Sequence, residues 1–435
     1  MNAQGDAIRL RMYPYPYRGA LSICNDLDGT SHHDFLEIHR FLNTTLNTTL
    51  GPGLGLEIGD SFWMFRAEPG REPTYFLEAS TKPSPFAPLL RDLIQMGYVD
   101  CLHTFGDFNR VGGFRRELAM AAFEELERQQ LKLRVWTDHG DIHNFQNLAT
   151  PWSMGDLPFR ASADGARTPT AEYHADLTLA YGIRFIWTGL TPFPGQDRPL
   201  DPGERMAALR DPGRLRAVIR RLRRRQIKAG ECSGLWENRL FTVGPLRDGQ
   251  SVYGFRRFGR FGRDHEDSLS WTLSPEVLQR LKDRGGCAIV FVHWGKRDPS
   301  QMAIFSKGTL ARLRGLAEEY RHGEIYVTTT ARLLTHISTR KSLRWTVRHK
   351  EGRWDIRIDS IRDPVGGERL PTVQELQGLT FYCREPERTR IVMSDEEIKA
   401  VANPPDETGR RSLSIPLFPL PSDELGSLLE GTSTR

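Results

Sequence analysis

The chain has 435 residues, 38% of them hydrophobic, which is enough apolar material for one large domain or two smaller ones. Its formal net charge of +5 is small for this length, so composition indicates no nucleic-acid partner. The sequence contains no run of about 18 uncharged apolar residues and no apolar signal-peptide core near its start, so we expect a cytoplasmic protein without a transmembrane segment.

Up to about residue 338, short apolar runs alternate with helical patterns. The runs predicted to form strands are 19–26, 56–65, 98–105, 131–137, 183–188, 287–293 and 324–329. Helices are predicted at 86–96, 114–130, 275–284 and 307–321, and Ser274 and Ser306 are suitable N-caps for the last two. This alternation predicts a parallel α/β sheet, either open or closed into a barrel.

Two aspartates follow the first predicted strand, in the segment Asn25-Asp26-Leu27-Asp28-Gly29. Residues two apart in an extended chain point the same way, so Asp26 and Asp28 can share one site. Two neighbouring carboxylates repel each other unless a metal or a proton separates their roles. The pair therefore suits one metal ligand and one general base.

A second group of ligand-type residues follows the third predicted strand. His103 and Asp107 are spaced i, i+4, so one helical turn or a tight loop would let both bind one ion. With Asp28 they would form a three-ligand site with an open position, as catalytic divalent metals require. Zinc is the first expectation, and iron, manganese and cobalt stay open because two carboxylates make a hard ligand set. An ordinary helix-capping role for His103 and Asp107 is the alternative.

The order of these motifs resembles that of the NodB-homology polysaccharide deacetylases, carbohydrate esterases of family four. Ile23–Gly29 is similar to their aspartate-pair motif, His103–Asp107 to their histidine motif, and Ile289–His293 to a late strand ending in histidine. The resemblance covers about residues 15 to 338 and is nearest to a subgroup of surface-polysaccharide biosynthesis. It implies a distorted (β/α) barrel of about seven strands, a divalent metal, and hydrolysis of an N-acetyl or related amide on a sugar.

The resemblance also implies roles for individual residues. Asp26 would be the general base, Asp28 and His103 metal ligands, and His293 the general acid that protonates the leaving amine. Asp107 stands where the family has a second histidine ligand, and an Arg-x-Pro motif is not evident. Trp136-Thr137-Asp138-His139-Gly140 occupies the place of that motif, so His139 would complete the metal set or contact substrate together with Asp138.

A carbohydrate substrate directs attention to polar loops and tryptophans. His143 and Asn144 suit sugar hydroxyls, with a solvated loop as the alternative. Trp187 and Trp294 lie at predicted strand ends and could stack on sugar rings, with core packing as the alternative. Arginines and aromatics alternate in Tyr253–Arg263, which leaves an anionic sugar open, although a surface hairpin explains this segment better.

Two further functions remain open at this stage. One is a deacetylase-like protein that has lost turnover and binds glycan, which the change at Asp107 and the absent arginine motif favour. The other is a different amide hydrolase or a glycosidase on the same barrel. Retention of both Asp26 and Asp28 favours the metal-dependent deacetylase over the non-catalytic protein.

The pattern changes after Arg340. Apolar and polar residues alternate around Trp345 and again around Ile356, with Lys350–Arg353 as a turn between them, which predicts an antiparallel hairpin. We therefore expect a barrel domain at 1–339 and a small antiparallel β-domain at 340–435. The last residues, 424–435, are polar and are predicted to fray.

Overall fold

The computed structural model describes most of the chain. The described residues are 8–66, 70–108, 113–139, 144, 146–148, 159–164, 166–209, 237–260, 262–297 and 301–433. Seven parallel strands close into a barrel with helices around it, and β-sheets lie elsewhere, so the predicted fold class is confirmed. None of the helices in these ranges is both long and apolar enough to cross a membrane.

The barrel strands follow one another around the ring in chain order. They are β1 (Gly19–Asp26), β2 (Gly59–Phe62), β3 (Val99–His103), β4 (Val135–Thr137), β5 (Phe185–Thr191), β6 (Ser251–Phe258) and β7 (Cys287–Val292). Each pairs in parallel with the next, and β7 pairs with β1 to close the ring. An eighth strand, β8 (Ile325–Val327), pairs with the start of β1, whereas β2 pairs with its end. All seven ring strands therefore direct their carboxyl ends toward the same rim.

Strand β6 corrects one expectation from the sequence. The segment Tyr253–Arg263 was best explained as a surface hairpin, yet Ser251–Phe258 completes the barrel between β5 and β7. The expected antiparallel pairing is nevertheless present, because Phe241–Pro245 pairs antiparallel with β6. The arginines made this strand look like a surface segment. Arg257, however, is only 1% exposed and points into the barrel, where the Asp26 carboxylate compensates its charge.

Helices pack around the barrel. They are α1 (His32–Asn43), α2 (Ala87–Met96), α3 (Arg116–Arg128), α4 (Ala175–Tyr181), α5 (Pro202–Leu209), α6 (Leu269–Thr272), α7 (Pro275–Arg284), α8 (Lys307–Arg321), α9 (Thr330–Ser342) and α10 (Ser422–Ser433). The four predicted ones, α2, α3, α7 and α8, begin and end close to the predicted positions. Short 3₁₀ turns occupy Glu266–Ser268 and Pro386–Arg388. The Ser274 and Ser306 hydroxyls accept hydrogen bonds from backbone N–H groups of the first turns of α7 and α8, as predicted for N-caps.

The C-terminal region is rich in strands. The predicted hairpin is present as Leu343–Lys350 and Arg353–Asp363, and Gly367–Arg369, Thr389–Met393 and Glu396–Ile398 extend it. One pairing in this sheet, between Arg353–Asp363 and Thr389–Met393, is parallel. A second sheet contains Arg9–Leu10, Thr380–Tyr382, Ser412–Ser414 and Val401–Asn403. Short pairs elsewhere are Asn47–Thr48 with Gly51–Pro52, Phe159–Ala161 with Arg167–Pro169, and Arg198–Pro199 with Glu237–Asn238.

The prediction that the C-terminal tail frays is wrong. Residues 422–433 form α10, and its Leu425 and Leu429 are fully buried in the same apolar cluster as α2 and α3. The segment before α10 is held by Glu57, whose carboxylate accepts hydrogen bonds from the Leu420 backbone and from Arg332. The prediction relied on the polar composition of the tail and overlooked two leucines spaced i, i+4, which lie on one helix face.

Candidate active site

The rim at the carboxyl ends of the strands gathers the chemistry-bearing residues predicted from the sequence. Strands β1 and β7 pair so that Asn25 lies opposite Val292. The next residues, Asp26 and His293, are therefore side by side at the ends of two neighbouring strands. The buried Asn25 amide accepts from the Trp294 backbone N–H and donates to Asp60, which joins the two strand ends to β2. These hydrogen bonds tie the ends of β1, β2 and β7 together at this rim.

Three side chains at this rim form a candidate metal site. Asp28, His103 and His139 each offer one ligand atom, and these atoms all lie within 4.8 Å of one another. Asp28 Oδ1 is 3.3 Å from His103 Nδ1, and Asp28 Oδ2 is 3.7 Å from His139 Nε2. The two imidazole rings stack with their centroids 5.5 Å apart, and the Trp63 ring lies beside both.

The residues of this group fit a divalent cation. Asp28 Oδ1 and His103 Nδ1 are buried atoms that make no hydrogen bond to any described residue. Buried polar atoms are nearly always satisfied, and a bound cation would satisfy two facing ligand atoms that make no hydrogen bond. One carboxylate and two imidazoles also form a ligand set that catalytic zinc uses.

His139 takes the place in this group that the sequence suggested for Asp107. The i, i+4 spacing suggested a helical turn or a tight loop after β3. Thr104 has a φ of 48°, the loop there is not helical, and Asp107 is not in the group. Asp107 acts on the site at a distance, because its charge partly opposes the burial that lowers the pKa of His139. The two candidate imidazole ligands thus come from β3 and from the residue two beyond the end of β4.

Asp26 is held by a buried ion pair. Its two carboxylate oxygens lie 2.8 and 2.9 Å from Arg257 Nη1, and the Ser61 hydroxyl donates to Oδ1 at 2.5 Å. Burial alone would raise the pKa of Asp26, but the charges of Arg257, His103 and His293 together outweigh it and lower that pKa to about 2. Arg257 itself is stacked against the rings of Trp187 and Phe291, which fixes its guanidinium. Asp26 is therefore ionised at neutral pH and held in one orientation.

His293 has a carboxylate partner that the sequence did not reveal. Its Nδ1 lies 2.8 Å from Asp264 Oδ2, and its backbone N–H donates to the Asp264 carbonyl at 2.7 Å. Nε2 faces the site, 3.4 Å from Asp28 Oδ2 and 3.8 Å from Asp26 Oδ2. Burial alone would lower the pKa of His293, but the hydrogen bond with Asp264 and the Asp28 carboxylate raise it to about 9.

Lys296 occupies the open side of His293. Its Nζ lies 3.0 Å from His293 Nε2, 3.3 Å from Asp264 and 3.8 Å from Asp28. The contact with Nε2 can be a hydrogen bond only while that nitrogen carries no proton, so Lys296 must turn away when His293 is charged. The Lys296 side chain is 39% exposed, which leaves it room to do so.

The residues predicted to bind substrate fall into different environments. Asp138 accepts from the Trp136 indole and the Leu148 backbone, and Asn144 accepts from Gln146, so both side chains are buried parts of the loop framework. Trp187 and Trp294 are each 1% exposed, and the stacking predicted for them is corrected to core packing. His139 joins the candidate metal group, and His143 lies outside the described residues.

Sequence reasoning missed Arg257, Asp264, Lys296 and Ser61. Arg257 had a detectable signal, because it sits between Phe255 and Phe258 in the segment where aromatics and arginines alternate. Asp264 and Lys296 had none, since each is a single charged residue in a loop whose path only the folded chain defines. Arg257 reaches Asp26 from β6, which pairs with β7, the neighbour of Asp26's strand β1.

Comparison of the chain with protein-family models, with curated proteins and with solved structures found no match. Any functional conclusion therefore depends on the residues at the barrel rim and on the resemblance of their motifs.

Proposed function

We propose that this protein is a metal-dependent hydrolase that removes an acetyl or other N-acyl group from a carbohydrate or a sugar precursor. The observation that carries the proposal is the convergence of Asp28, His103 and His139 into one candidate metal group. Asp26 and His293, each held by its own partners, lie beside this group. The motif order of the NodB-homology deacetylases supports the choice of an N-acyl sugar as substrate.

Asp28, His103 and His139 would hold the cation, with zinc as the first candidate and iron, manganese or cobalt as alternatives. A divalent cation there supplies Lewis-acid polarisation of a carbonyl and a lowered pKa for water. The protein provides the remaining functions through side chains that flank this group.

Asp26 serves as the base that accepts the proton of the attacking water. Arg257 keeps the carboxylate ionised and, with Ser61, fixes its direction, so the acceptor is preorganised. The tight ion pair makes Asp26 a weak base on its own, so the proposed role requires a water whose pKa is already lowered.

His293 serves as the acid that protonates the leaving amine. Asp264 binds Nδ1, which directs Nε2 toward Asp26 and Asp28 and keeps its proton at the site. The proton is transferred from Nε2 to the amine nitrogen as the C–N bond breaks, so atoms and charge balance across the step. Asp264 is thus a positioning residue for His293.

A second candidate is a glycan-binding protein without turnover. Lys296 favours it, because an ammonium group 3.0 Å from His293 Nε2 occupies the direction in which the acid would release its proton. In the hydrolase, Lys296 must turn away so that Nε2 can hold the proton that it transfers, whereas glycan binding does not require a proton on Nε2.

The test is acetate release from a panel of N-acetylated oligosaccharides by the zinc-loaded protein. We expect Asp26→Asn and His293→Gln each to lower the rate by at least about 100-fold while the bound metal is retained. Asp359→Asn, which changes an exposed carboxylate of the C-terminal hairpin, is the matched control and should be as active as the wild type. Binding of the oligosaccharides without acetate release would replace the hydrolase with the second candidate, and full activity of Asp26→Asn would remove its role as base.

A further inference from the structure

A buried polar network lies behind the barrel wall, at the level of the candidate active site. His39 of α1 lies with Nε2 2.9 Å from Asp60 Oδ2, and the Asn25 amide donates to Asp60 Oδ1 at 2.8 Å. Asn25 Oδ1 in turn accepts from the Trp294 backbone N–H at 2.9 Å. The three side chains are at most 2% exposed, so they are shielded from solvent. One chain of hydrogen bonds thus links α1 with the ends of β2, β1 and β7.

Each strand residue of this network is the chain neighbour of a residue at the candidate site. The pairs are Asn25 with Asp26, Asp60 with Ser61, and Trp294 with His293. Successive side chains of a strand point to opposite faces, so the network lies on the outer face of the wall, under α1, while the neighbouring site residues point inward. The network therefore anchors the candidate base and acid from behind, without reaching the space between them.

The polar side chains of the network interrupt rows that are otherwise apolar. Leu21 and Ile23 precede Asn25 on the outer face of β1, and Ile58 lies two residues before Asp60. These three apolar residues belong to the same buried cluster as three side chains of α1. Apolar side chains are often as stable as buried polar groups of similar volume, so packing alone does not require a carboxylate here. A hydrogen-bonded network instead specifies one arrangement of the segments that it joins.

The His39 imidazole is itself held in place. Its ring makes edge-on contacts with Phe35 and Tyr98, whose ring centroids lie 4.5 and 6.4 Å away. Nδ1 is buried and makes no hydrogen bond to any described residue, so the contact with Asp60 is the one that the ring serves in the described part of the chain. An ionised carboxylate only accepts hydrogen bonds, so the imidazole donates through Nε2. His39 therefore fixes the direction of the Asp60 carboxylate.

We propose that His39 and Asp60 are positioning residues for the proposed hydrolase, because they hold Asn25 so that its amide fixes the end of β7. The distances from His293 Nε2 to Asp26 and Asp28, 3.8 and 3.4 Å, then depend on this network. A misplacement of about 1 Å between reacting groups can lower a rate about 100-fold, so the network affects kcat although it touches no substrate. This role rests on the proposed function.

Two variants of His39 separate hydrogen bonding from packing. His39→Leu fills the space but removes the donor, whereas the amide of His39→Gln can still donate to Asp60. We expect kcat per bound zinc ion to fall at least about tenfold in His39→Leu and to stay within about threefold of the wild type in His39→Gln, with KM little changed in both. A packing role predicts the reverse order. Leu126→Ala, at a fully buried position of α3, is the stability control and should lower the melting temperature while keeping kcat.

Hydrogen exchange of the full-length protein, measured by mass spectrometry, tests the network without any catalysis. In His39→Leu we expect the Trp294 amide to exchange at least about tenfold faster than in the wild type, while residues 288–291 of the same strand exchange at an unchanged rate. If the wild type releases no acetate, the hydrolase proposal fails, and this measurement alone decides whether the network holds the end of β7.

Three results would overturn the positioning role. They are an equal kcat in the wild type and His39→Leu, an equal loss in His39→Leu and His39→Gln, and unchanged exchange of the Trp294 amide. If His39→Leu does not fold, Asp60→Asn replaces it, because the amide keeps the shape of the carboxylate but has one acceptor oxygen instead of two. That variant should lose kcat at least about fivefold, and a kcat equal to that of the wild type would overturn the role.

Discussion

Arg257 Nη1 lies 2.8 and 2.9 Å from the two carboxylate oxygens of Asp26, and both side chains are buried inside the barrel. A buried ion pair at this depth is costly to desolvate, and removal of one partner leaves the other charge uncompensated. The pair therefore couples the stability of the barrel to the orientation of the proposed base.

Replacement of Arg257 tests that coupling. Arg257→Met should destabilise the protein by about 3–5 kcal/mol, because Asp26 would stay buried without its partner. Arg257→Lys keeps the charge but loses the planar stacking on Trp187 and Phe291, so it should retain the fold and lose activity at least about tenfold. Chemical denaturation and acetate release measure the two effects. Arg256→Lys, at the exposed neighbouring position, serves as the control, and an inactive Arg256→Lys would show that the effect is not specific to the ion pair.

Removal of the Asp264 carboxylate should change the pH dependence of activity. The hydrogen bond with Asp264 is the largest of the contacts that, against burial, raise the pKa of His293 to about 9. A general acid works only while protonated, so activity falls as pH rises through that pKa. In Asp264→Asn this alkaline decline should move to lower pH, and kcat should fall about 10-fold to 100-fold. A pH–rate profile measures both, and an unshifted alkaline limb with reduced kcat would assign Asp264 a purely structural role.

Two buried histidines predict loss of stability in acid. Burial lowers the pKa of His174 and of His336 to about 4 in the folded protein, below the value of about 6.5 in the unfolded chain. Between these values the unfolded state binds more protons, so stability falls as pH decreases from about 6.5 to 4, by up to about 3 kcal/mol for each histidine. Denaturation midpoints measured across this range check the prediction. His174→Gln should show a shallower decline than the wild type, and an equally steep one would contradict the assignment to His174.

The C-terminal helix should be necessary for barrel stability. Leu425 and Leu429 are fully buried, so each change to alanine should cost about 2–5 kcal/mol. Ser427→Ala, at an exposed position on the same helix, should cost less than about 0.5 kcal/mol. Thermal unfolding of the three variants provides the comparison, and equal melting temperatures would mean that α10 does not pack on the barrel in solution.

The barrel was predictable from the sequence because its strands are continuous apolar runs with helices between them. Gly19–Asp26 and Cys287–Val292 carry that signal clearly, and the structure assigns them nearly as predicted. Strand β6 was not recognised, since a buried Arg257 looks like a surface residue until the partner Asp26 is placed beside it. Helix α10 was missed for a related reason, because Leu425 and Leu429 are its only buried large apolar side chains among those that the structure describes.

The candidate site was also partly predictable, because the fold brings its residues to one edge of the barrel. Parallel strands bring their carboxyl ends to one rim, so Asp28, His103 and His139 were foreseeable as neighbours. The i, i+4 spacing of His103 and Asp107 predicted Asp107 as a ligand, but the backbone has a positive φ at Thr104 and forms no helical turn there. The contacts of Asp264 and Lys296 with His293 depend on the paths of loops, which the pattern of apolar and polar residues does not predict.

The metal site is best tested by the metal content of purified variants, reconstituted with zinc and measured by mass spectrometry. We expect one ion per chain in the wild type and in Asp107→Ala, and loss of the ion in Asp28→Ala, His103→Ala and His139→Ala. His33→Ala, which removes an imidazole that is 81% exposed, should keep its ion. A wild-type protein without a stoichiometric ion, or an ion lost in Asp107→Ala and retained in His139→Ala, would show that Asp28, His103 and His139 do not form the metal site.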